Sequence, residues 1–172
     1  TETTERVSVN PQGGDTNGGS FWASLSADGR YIAFTSGASN LVVGDENEIL
    51  DVFVYDRQIE TTTRVSVDPQ GGDPNGSSAF ASLSSDGRFV AFMSQANNLV
   101  EGDGNGTSDI FVFDRQRETT TRVNIGTKGE EPNEFSGGAA ISGTGRYVSF
   151  WSRASNLVKE DGNGDYDVFV RD

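Results

Sequence analysis

Hydrophobic residues in this chain occur in short runs that alternate with polar residues. In the middle of the chain, such runs cover residues 79–84, 88–93, 109–113 and 121–125, and they are rich in Val, Ile and Phe. Runs of five or six residues of this composition, separated by Gly, Asn and Asp, predict β-strands. No stretch of ten or more residues repeats apolar positions at the helical spacing of three to four. The pattern therefore predicts an all-β protein.

This four-strand pattern repeats along the chain. Arg6, Arg64 and Arg122 each open a similar R-V-x-[VI] run, and successive arginines are 58 residues apart. A fixed period of this length indicates stacked supersecondary units. Four antiparallel strands joined by tight turns, such as Asp86-Gly87, describe a blade of a β-propeller. We predict one propeller domain over residues 1–172, with repeats at about 6–63, 64–121 and 122–172 and under about 10% helix.

The strand pattern does not begin with the first strand of a blade or end with the fourth. Residues 4–9 have the pattern of a fourth strand without a preceding blade, and residues 167–170 have that of a third strand without a fourth. The sequence thus predicts twelve strands, or three blades, whereas propellers commonly have four to eight. We expect two copies to form a six-bladed homodimer, each giving residues 4–9 to the other's last blade. A fragment of a longer propeller and a compact single chain remain alternatives.

Charge and composition limit which binding partners and which catalytic or metal-binding groups the chain can have. The chain has 26 acidic and 13 basic residues, a formal charge of −13. This charge disfavours nucleic acids and anionic membranes, which bind through Lys and Arg. Without Cys or His, the chain has no disulfide framework, no thiolate metal site and no imidazole base. No apolar run approaches the length of a membrane span, so we predict no membrane insertion.

An acidic pattern, D-x-N-x-x-x-D, recurs at residues 45–51, 103–109 and 161–167. Alternating oxygen-bearing side chains on a tight loop can converge on one hard cation, as in the first positions of an EF-hand loop. We predict Ca²⁺ here, tightest in the third loop; the alternative is that these residues only make turns. The predicted calcium ligands are Asp45, Asn47, Asp51, Asp103, Asn105, Asp109, Asp161, Asn163, Asp165 and Asp167.

A second polar set lies where each fourth strand crosses to the next innermost strand, near the expected central channel. Its residues could form turns, add cation ligands or line the rim of a ligand site. The candidate ligand-binding residues are Asp15, Asn17, Asp73, Asn75, Glu131 and Asn133.

The sequence favours a binding module over an enzyme. It contains no Ser-His-Asp set and no Gly-x-Ser-x-Gly motif. A carboxylate glycosidase using acids of the second set remains an alternative, although near-equivalent repeats give these acids similar environments where a catalytic pair needs two different ones. Repetition suits multivalent recognition of a protein, a cell surface or a glycan. Trp22 and Phe80 occupy equivalent positions, but Gly138 interrupts an aromatic platform for sugars.

The repeats resemble a known family. Residues 26–34 and 84–92 match the S-x-D-G-[RK]-x-[IV]-[AV]-F core of TolB-type, WD40-like (PD40) propeller repeats, and residues 142–150 depart by placing Thr144 where Asp stands. The N-L-V-x-G-D-x-N and D-V-F-V-x-D-R segments are similar to a secreted bacterial subgroup. The resemblance implies a propeller fold and an extracellular or periplasmic location. It implies little about activity, because propellers carry many unrelated functions.

Overall fold

The computed structural model describes residues 2–172, and it contains eleven β-strands in three antiparallel sheets. The all-β prediction is confirmed. No helix that could cross a membrane occurs between residues 2 and 172. The strands are β1 Ser20–Leu25, β2 Tyr31–Ser36, β3 Asp51–Asp56, β4 Thr61–Arg64, β5 Ser78–Leu83, β6 Phe89–Ser94, β7 Asp109–Asp114, β8 Thr119–Arg122, β9 Ser136–Ile141, β10 Val148–Ser152 and β11 Asp167–Arg171.

Each sheet follows the order of its strands along the chain and resembles a propeller blade. The first sheet has the order β1-β2-β3-β4, the second β5-β6-β7-β8 and the third β9-β10-β11. The register repeats as well: Tyr55 lies opposite Thr62 in the first sheet, and Phe113 lies opposite Thr120 in the second. The 58-residue sequence period is therefore a structural period.

The first hairpin of the first and second sheets turns at the S-x-D-G motif. In the first sheet the Ser26 hydroxyl donates a hydrogen bond to Asp28, at 2.6 Å, and the Arg30 backbone N–H donates to the same carboxylate, at 3.0 Å. Gly29 follows with φ of 71°, a left-handed conformation that costs glycine little. The same geometry at residues 84–88 explains why this short motif recurs.

The prediction of twelve strands is wrong for residues 4–9, which form no strand. Residues 2–172 contain eleven strands. A strand needs a neighbour for its backbone hydrogen bonds. β4 and β8 pair with the third strand of their own sheet, but residues 4–9 precede the first sheet and have no such edge beside them. Val7 instead packs against the core of the first sheet. The third sheet ends at β11 with three strands, as the phase of the sequence predicts.

Apolar cores lie between consecutive sheets. One core joins Val52 and Val54 of the first sheet to Phe92 and Phe111 of the second. A second joins Ile110 of the second sheet to residues of the third, such as Phe150. Consecutive sheets are also linked by hydrogen bonds from the backbone N–H of Ser78 to the carbonyl of Leu50 and from Ser136 to Ser108. The sheets therefore associate face to face through a contact that is made twice.

Candidate functional site: arginine-centred acidic clusters

The first acidic loop encloses an arginine side chain. Arg64, the last residue of β4, places Nη1 3.1 Å from Oδ1 of Asp45 and 3.5 Å from Oδ2 of Asp51. Its Nη2 lies 2.5 Å from Oδ1 of Asp73, which belongs to the second predicted set. The arginine and the two loop aspartates are buried. We call Arg64, Asp45, Asp51 and Asp73 the first arginine cluster.

The same arrangement recurs one repeat later. Nη1 of Arg122 lies 3.0 Å from Oδ1 of Asp103, 3.4 Å from Oδ2 of Asp109 and 2.8 Å from Oε1 of Glu131. We call these four residues the second arginine cluster. Each cluster draws its arginine from the end of a fourth strand, two acids from the preceding loop and one acid from the following loop. The two acidic sets predicted separately from sequence thus meet at a common guanidinium.

The asparagines of the D-x-N pattern face their own loops. Asn47 accepts a hydrogen bond from the Ile49 backbone N–H through Oδ1, at 3.1 Å, and donates from Nδ2 to Asp51, at 2.9 Å. Asn163 does the same with Asp165 and Asp167. The amide oxygen is therefore engaged in a turn, and the amide nitrogen cannot ligate a cation.

The fit of these loops to calcium differs between copies. In the first two loops a guanidinium occupies the centre of the carboxylates, where a bound cation would have to lie. Within residues 2–172, no group of three or more acidic side chains is arranged to hold a metal ion. The third loop, 161–167, has no arginine or lysine within 4 Å of its aspartates among the described residues.

Burial changes the acidity of the clusters. It raises the pKa of Asp51 to about 6, against hydrogen bonds donated by Ser66 and Asn47 that lower it. Burial, followed by the negative charge of Asp109, raises the pKa of Asp103 to about 6 as well. Because these values exceed the usual value of about 3.9, protonation favours the folded state. The stability that the folded state gains from these raised pKa values is complete below pH about 4 and is lost as the pH rises through about 6.

The second predicted set separates into two roles. Its acids Asp73 and Glu131 complete the arginine clusters, and Asp15 pairs with Arg6 at 2.6 Å. Its asparagines connect neighbouring loops: Nδ2 of Asn17 donates to Ser39 at 2.8 Å, and its backbone N–H donates to Asn40 at 3.0 Å. Asn75 and Asn133 make equivalent links to 97–98 and 155–156. These asparagines fix the loops that carry the acids.

Aromatic rings lie on the first strand of the first two sheets and beside the first strand of the third. A bulge in each strand places Trp22, Phe80 and Gly138 at φ of 52°, 58° and 64°, a conformation that is costly for large side chains. The Trp22 and Phe80 rings are 4.3 Å apart between centroids, and both side chains are exposed. The Trp151 ring fills the space that a side chain at Gly138 would need. Gly138 carries no ring of its own, and the neighbouring Trp151 ring packs against Phe135 and Tyr166.

A second set of arginines holds the opposite ends of the strands. Arg30 donates two hydrogen bonds to Asp56, at 2.9 and 2.7 Å, and Arg88 makes the same bidentate pair with Asp114. The Arg88 guanidinium lowers the pKa of Asp114 to about 2. The recurrence of Arg after Asp-Gly and of Asp at the end of each third strand was the sequence signal for this pair.

Comparison with known proteins supports the fold. No protein-family model and no curated protein sequence matches the chain. Among solved structures, TolB from Acinetobacter baumannii superposes with a TM-score of 0.54 at 21% identity, covering 92% of this chain and 30% of that protein. A putative TolB from Agrobacterium tumefaciens gives 0.53 at 16% identity, covering 89% and 58%. The tricorn protease gives 0.52 at 14% identity, covering 82% and 12%.

The chain thus spans less than two thirds of each of these proteins. At these identities the likeness concerns the fold alone. Together with the three repeated antiparallel sheets, it shows that this chain is structurally similar to TolB-type and other β-propeller domains.

Proposed function

We propose that the chain is a non-catalytic binding module in which two copies close a six-bladed propeller. The observation that supports this proposal is the pair of apolar faces at the two ends of the three-sheet arc. Both faces are equivalent in sequence to surfaces that are buried between sheets elsewhere in the same chain. A closed ring of two identical arcs would cover both at once, as expected for symmetric oligomers.

The outer face of the third sheet is the first uncovered surface. Val168 and Val170 on β11 are 79% and 69% exposed, whereas their counterparts Val52 and Val54 in the first sheet are 0% exposed. The fully buried Val52 and Val54 belong to the core that joins the first and second sheets. The third sheet thus presents the same apolar residues to solvent. β11 also has unpaired backbone groups along its outer edge, which favour pairing with another strand.

The opposite face of the first sheet is uncovered only on its β1 side, because Phe34 and Phe53 on β2 and β3 are buried beside Val7. Leu25 on β1 is 60% exposed, whereas its counterpart Leu83 on β5 is 7% exposed because the first sheet packs against it. Gly29 also lies open, whereas its counterparts Gly87 and Gly145 are covered by the rings of Tyr31 and Phe89 from the preceding sheet. The next aromatic side chain of this series, Tyr147, is exposed at the other end of the three-sheet arc.

The environment of the acids supports a non-catalytic role. A carboxylate glycosidase needs one acid with a raised pKa as proton donor beside an ionised one. Of the acids that could line the channel, Asp73 and Glu131 are bound by arginines. The backbone N–H of Gly104 and then Arg122 lower the pKa of Glu131, which disfavours a general acid there. We place a protein or glycan ligand instead on the exposed aromatic pair of Trp22 and Phe80.

The solution mass of the chain tests the proposal. We expect sedimentation velocity at micromolar concentration to give a species of two 18.4 kDa chains, with dissociation on dilution. Further blades supplied by a longer chain would cover the same faces, and this chain alone would then stay monomeric. A monomer at all concentrations up to about 100 µM, far above the dissociation constants of stable interfaces of standard size, would contradict the six-bladed ring.

For calcium, we propose a site in the third loop of the dissociated single chain, because arginines already compensate the other two loops. Asp161, Asp165 and Asp167 would converge on the ion when it binds. Carboxylate and backbone oxygens suit Ca²⁺. We expect a calorimetric titration of dilute, EDTA-treated protein to show one site per chain, and Asp161→Asn with Asp165→Asn to remove the heat. Asp103→Asn serves as the control and should leave it unchanged. The absence of heat at millimolar calcium would end this proposal.

A further inference from the structure

We infer that a third arginine cluster forms between two copies, with Arg6 of one copy entering between Asp161 and Asp167 of the other. This inference rests on the proposed two-copy ring and identifies the contact that sets its register. In this account the cation of the third acidic loop in the assembled ring is an arginine supplied by the second copy.

The first argument is the spacing of the two complete clusters. Arg64 and Arg122 each bind aspartates that precede them by 19 and 13 residues and an acid that follows by nine. Arg6 already binds the acid that follows by nine, Asp15, at 2.6 Å. In the third repeat, the residues equivalent to Asp103 and Asp109 are Asp161 and Asp167. In the proposed ring this repeat belongs to the other copy and precedes Arg6. One half of a cluster therefore lies at each end of the arc.

The second argument is the backbone around each complete cluster. The Val65 N–H donates to the Val52 carbonyl and the Val123 N–H to the Ile110 carbonyl, each at 2.9 Å. These bonds bring the residue after each arginine against the third strand. The same pairing between copies joins the N–H of residue 7 to the carbonyl of residue 168. Arg6 then lies opposite residue 169, as residue 64 lies opposite residue 53, which places its guanidinium at residue 167.

The third argument is the acid that follows each arginine, which also contacts the preceding acidic loop. Glu131 accepts a hydrogen bond from the Gly104 backbone N–H at 2.9 Å, and Asp73 accepts one from Glu46 at 3.3 Å. The corresponding pair is Asp15 of one copy and the backbone N–H of residue 162 of the other. Asp15 and its partner, the arginine at position 6, are both exposed in the single chain, so they are free to make this contact without breaking a buried one.

Charge complementarity makes the second copy a suitable occupant. The end that carries 161–167 presents uncompensated carboxylates, and the other end presents a guanidinium held by one carboxylate. Close, partly desolvated ion pairs fix register and slow dissociation. Because the ring is symmetric, each copy both gives and receives an arginine, and a single substitution removes two contacts per dimer.

Charge reversal tests the inference. Arg6→Glu places a carboxylate beside Asp161 and Asp167, so we expect the dimer dissociation constant, measured by sedimentation velocity, to rise at least a hundredfold. Asp167→Arg alone should weaken the dimer similarly. The double variant Arg6→Glu with Asp167→Arg restores opposite charges and should recover affinity to within about tenfold. Arg117→Glu is the matched control, because Arg117 is exposed on the second sheet, and this variant should leave the dimer dissociation constant unchanged.

The outcomes separate the arginine contact from the ring. A wild-type dimer that Arg6→Glu leaves unchanged would overturn the third arginine cluster while the six-bladed ring stands. Weakening by both single variants without recovery in the double variant would also overturn it, because the charges would then act elsewhere. A wild-type monomer at every concentration would overturn both. Circular dichroism should show unchanged folding in the Arg6→Glu variant, since Arg6 is exposed in the single chain.

Discussion

Replacing Arg122 with Ala should lower the free energy of unfolding by about 3–5 kcal/mol at pH 8. The substitution leaves Asp103 and Asp109 buried without their guanidinium, and both pKa values are already raised by burial. Removing one partner of a buried pair is costly because the remaining charge keeps its desolvation penalty. Urea unfolding followed by fluorescence measures the change. Arg117→Ala, at an exposed arginine, should change stability by less than about 0.5 kcal/mol.

The loss caused by Arg122→Ala should shrink as the pH falls. Asp103 has a pKa of about 6 in the intact cluster, and loss of the neighbouring positive charge raises it further. At pH 5 the carboxyl is protonated in the folded variant, so the uncompensated charge disappears. We therefore expect the difference between variant and wild type to be clearly smaller at pH 5 than at pH 8. An equal loss at both pH values would show that the arginine acts through packing instead of charge.

The strands were largely predictable from sequence because they depend on local patterns. The runs at 79–84, 88–93 and 109–113 correspond to β5, β6 and β7 within about one residue, since Asp86-Gly87 fixes the hairpin and side-chain alternation fixes the faces. The fourth strand was less accurate. The pattern predicts 121–125, but β8 is Thr119–Arg122, and only the Val123 N–H adds a further bond to the third strand, at the Ile110 carbonyl.

The centre of the candidate site was not predicted, because it depends on contacts between residues far apart in the chain. The sequence pattern marks Asp45, Asp51 and Asp73 as repeated acids and Arg64 as the start of a repeated run, but it does not show that Arg64 joins them. The register of β3 and β4, in which Phe53 lies opposite Arg64, places the guanidinium beside the loop. The sequence contained this signal, since Arg stands at the same distance from both acidic sets in two repeats.

The conformation of residues 4–9 could not follow from their own sequence. The T-x-R-V-S-V pattern is the same as in 62–67, but a fourth strand also needs the edge of a third strand beside it. In the first two sheets that edge comes from the same chain. Among the described strands, the third strand that lacks a fourth is β11, at the other end of the arc. The local pattern therefore favours a fourth strand, and the tertiary arrangement decides whether that strand forms.

Cross-linking across the proposed joint tests the central claim, that two copies close one ring by exchanging residues 4–9. Tyr55 lies opposite Thr62 and Phe113 lies opposite Thr120, so residue 171 of one copy should lie opposite residue 4 of the other. The chain has no cysteine, which makes Thr4→Cys with Arg171→Cys a clean pair. Directly opposed strand positions place Cβ atoms about 4.5–5.5 Å apart, close to the roughly 3.5–4.5 Å of a disulfide.

We expect mild oxidation of this double variant to give a covalent dimer on a non-reducing gel, with native mass and with both disulfides found between positions 4 and 171 by peptide mapping. Thr3→Cys with Arg171→Cys, one residue out of register, is the control and should cross-link far more slowly. A double variant that remains monomeric under oxidation at concentrations where the wild type is dimeric would contradict the exchange of residues 4–9 and the closed six-bladed ring built on it.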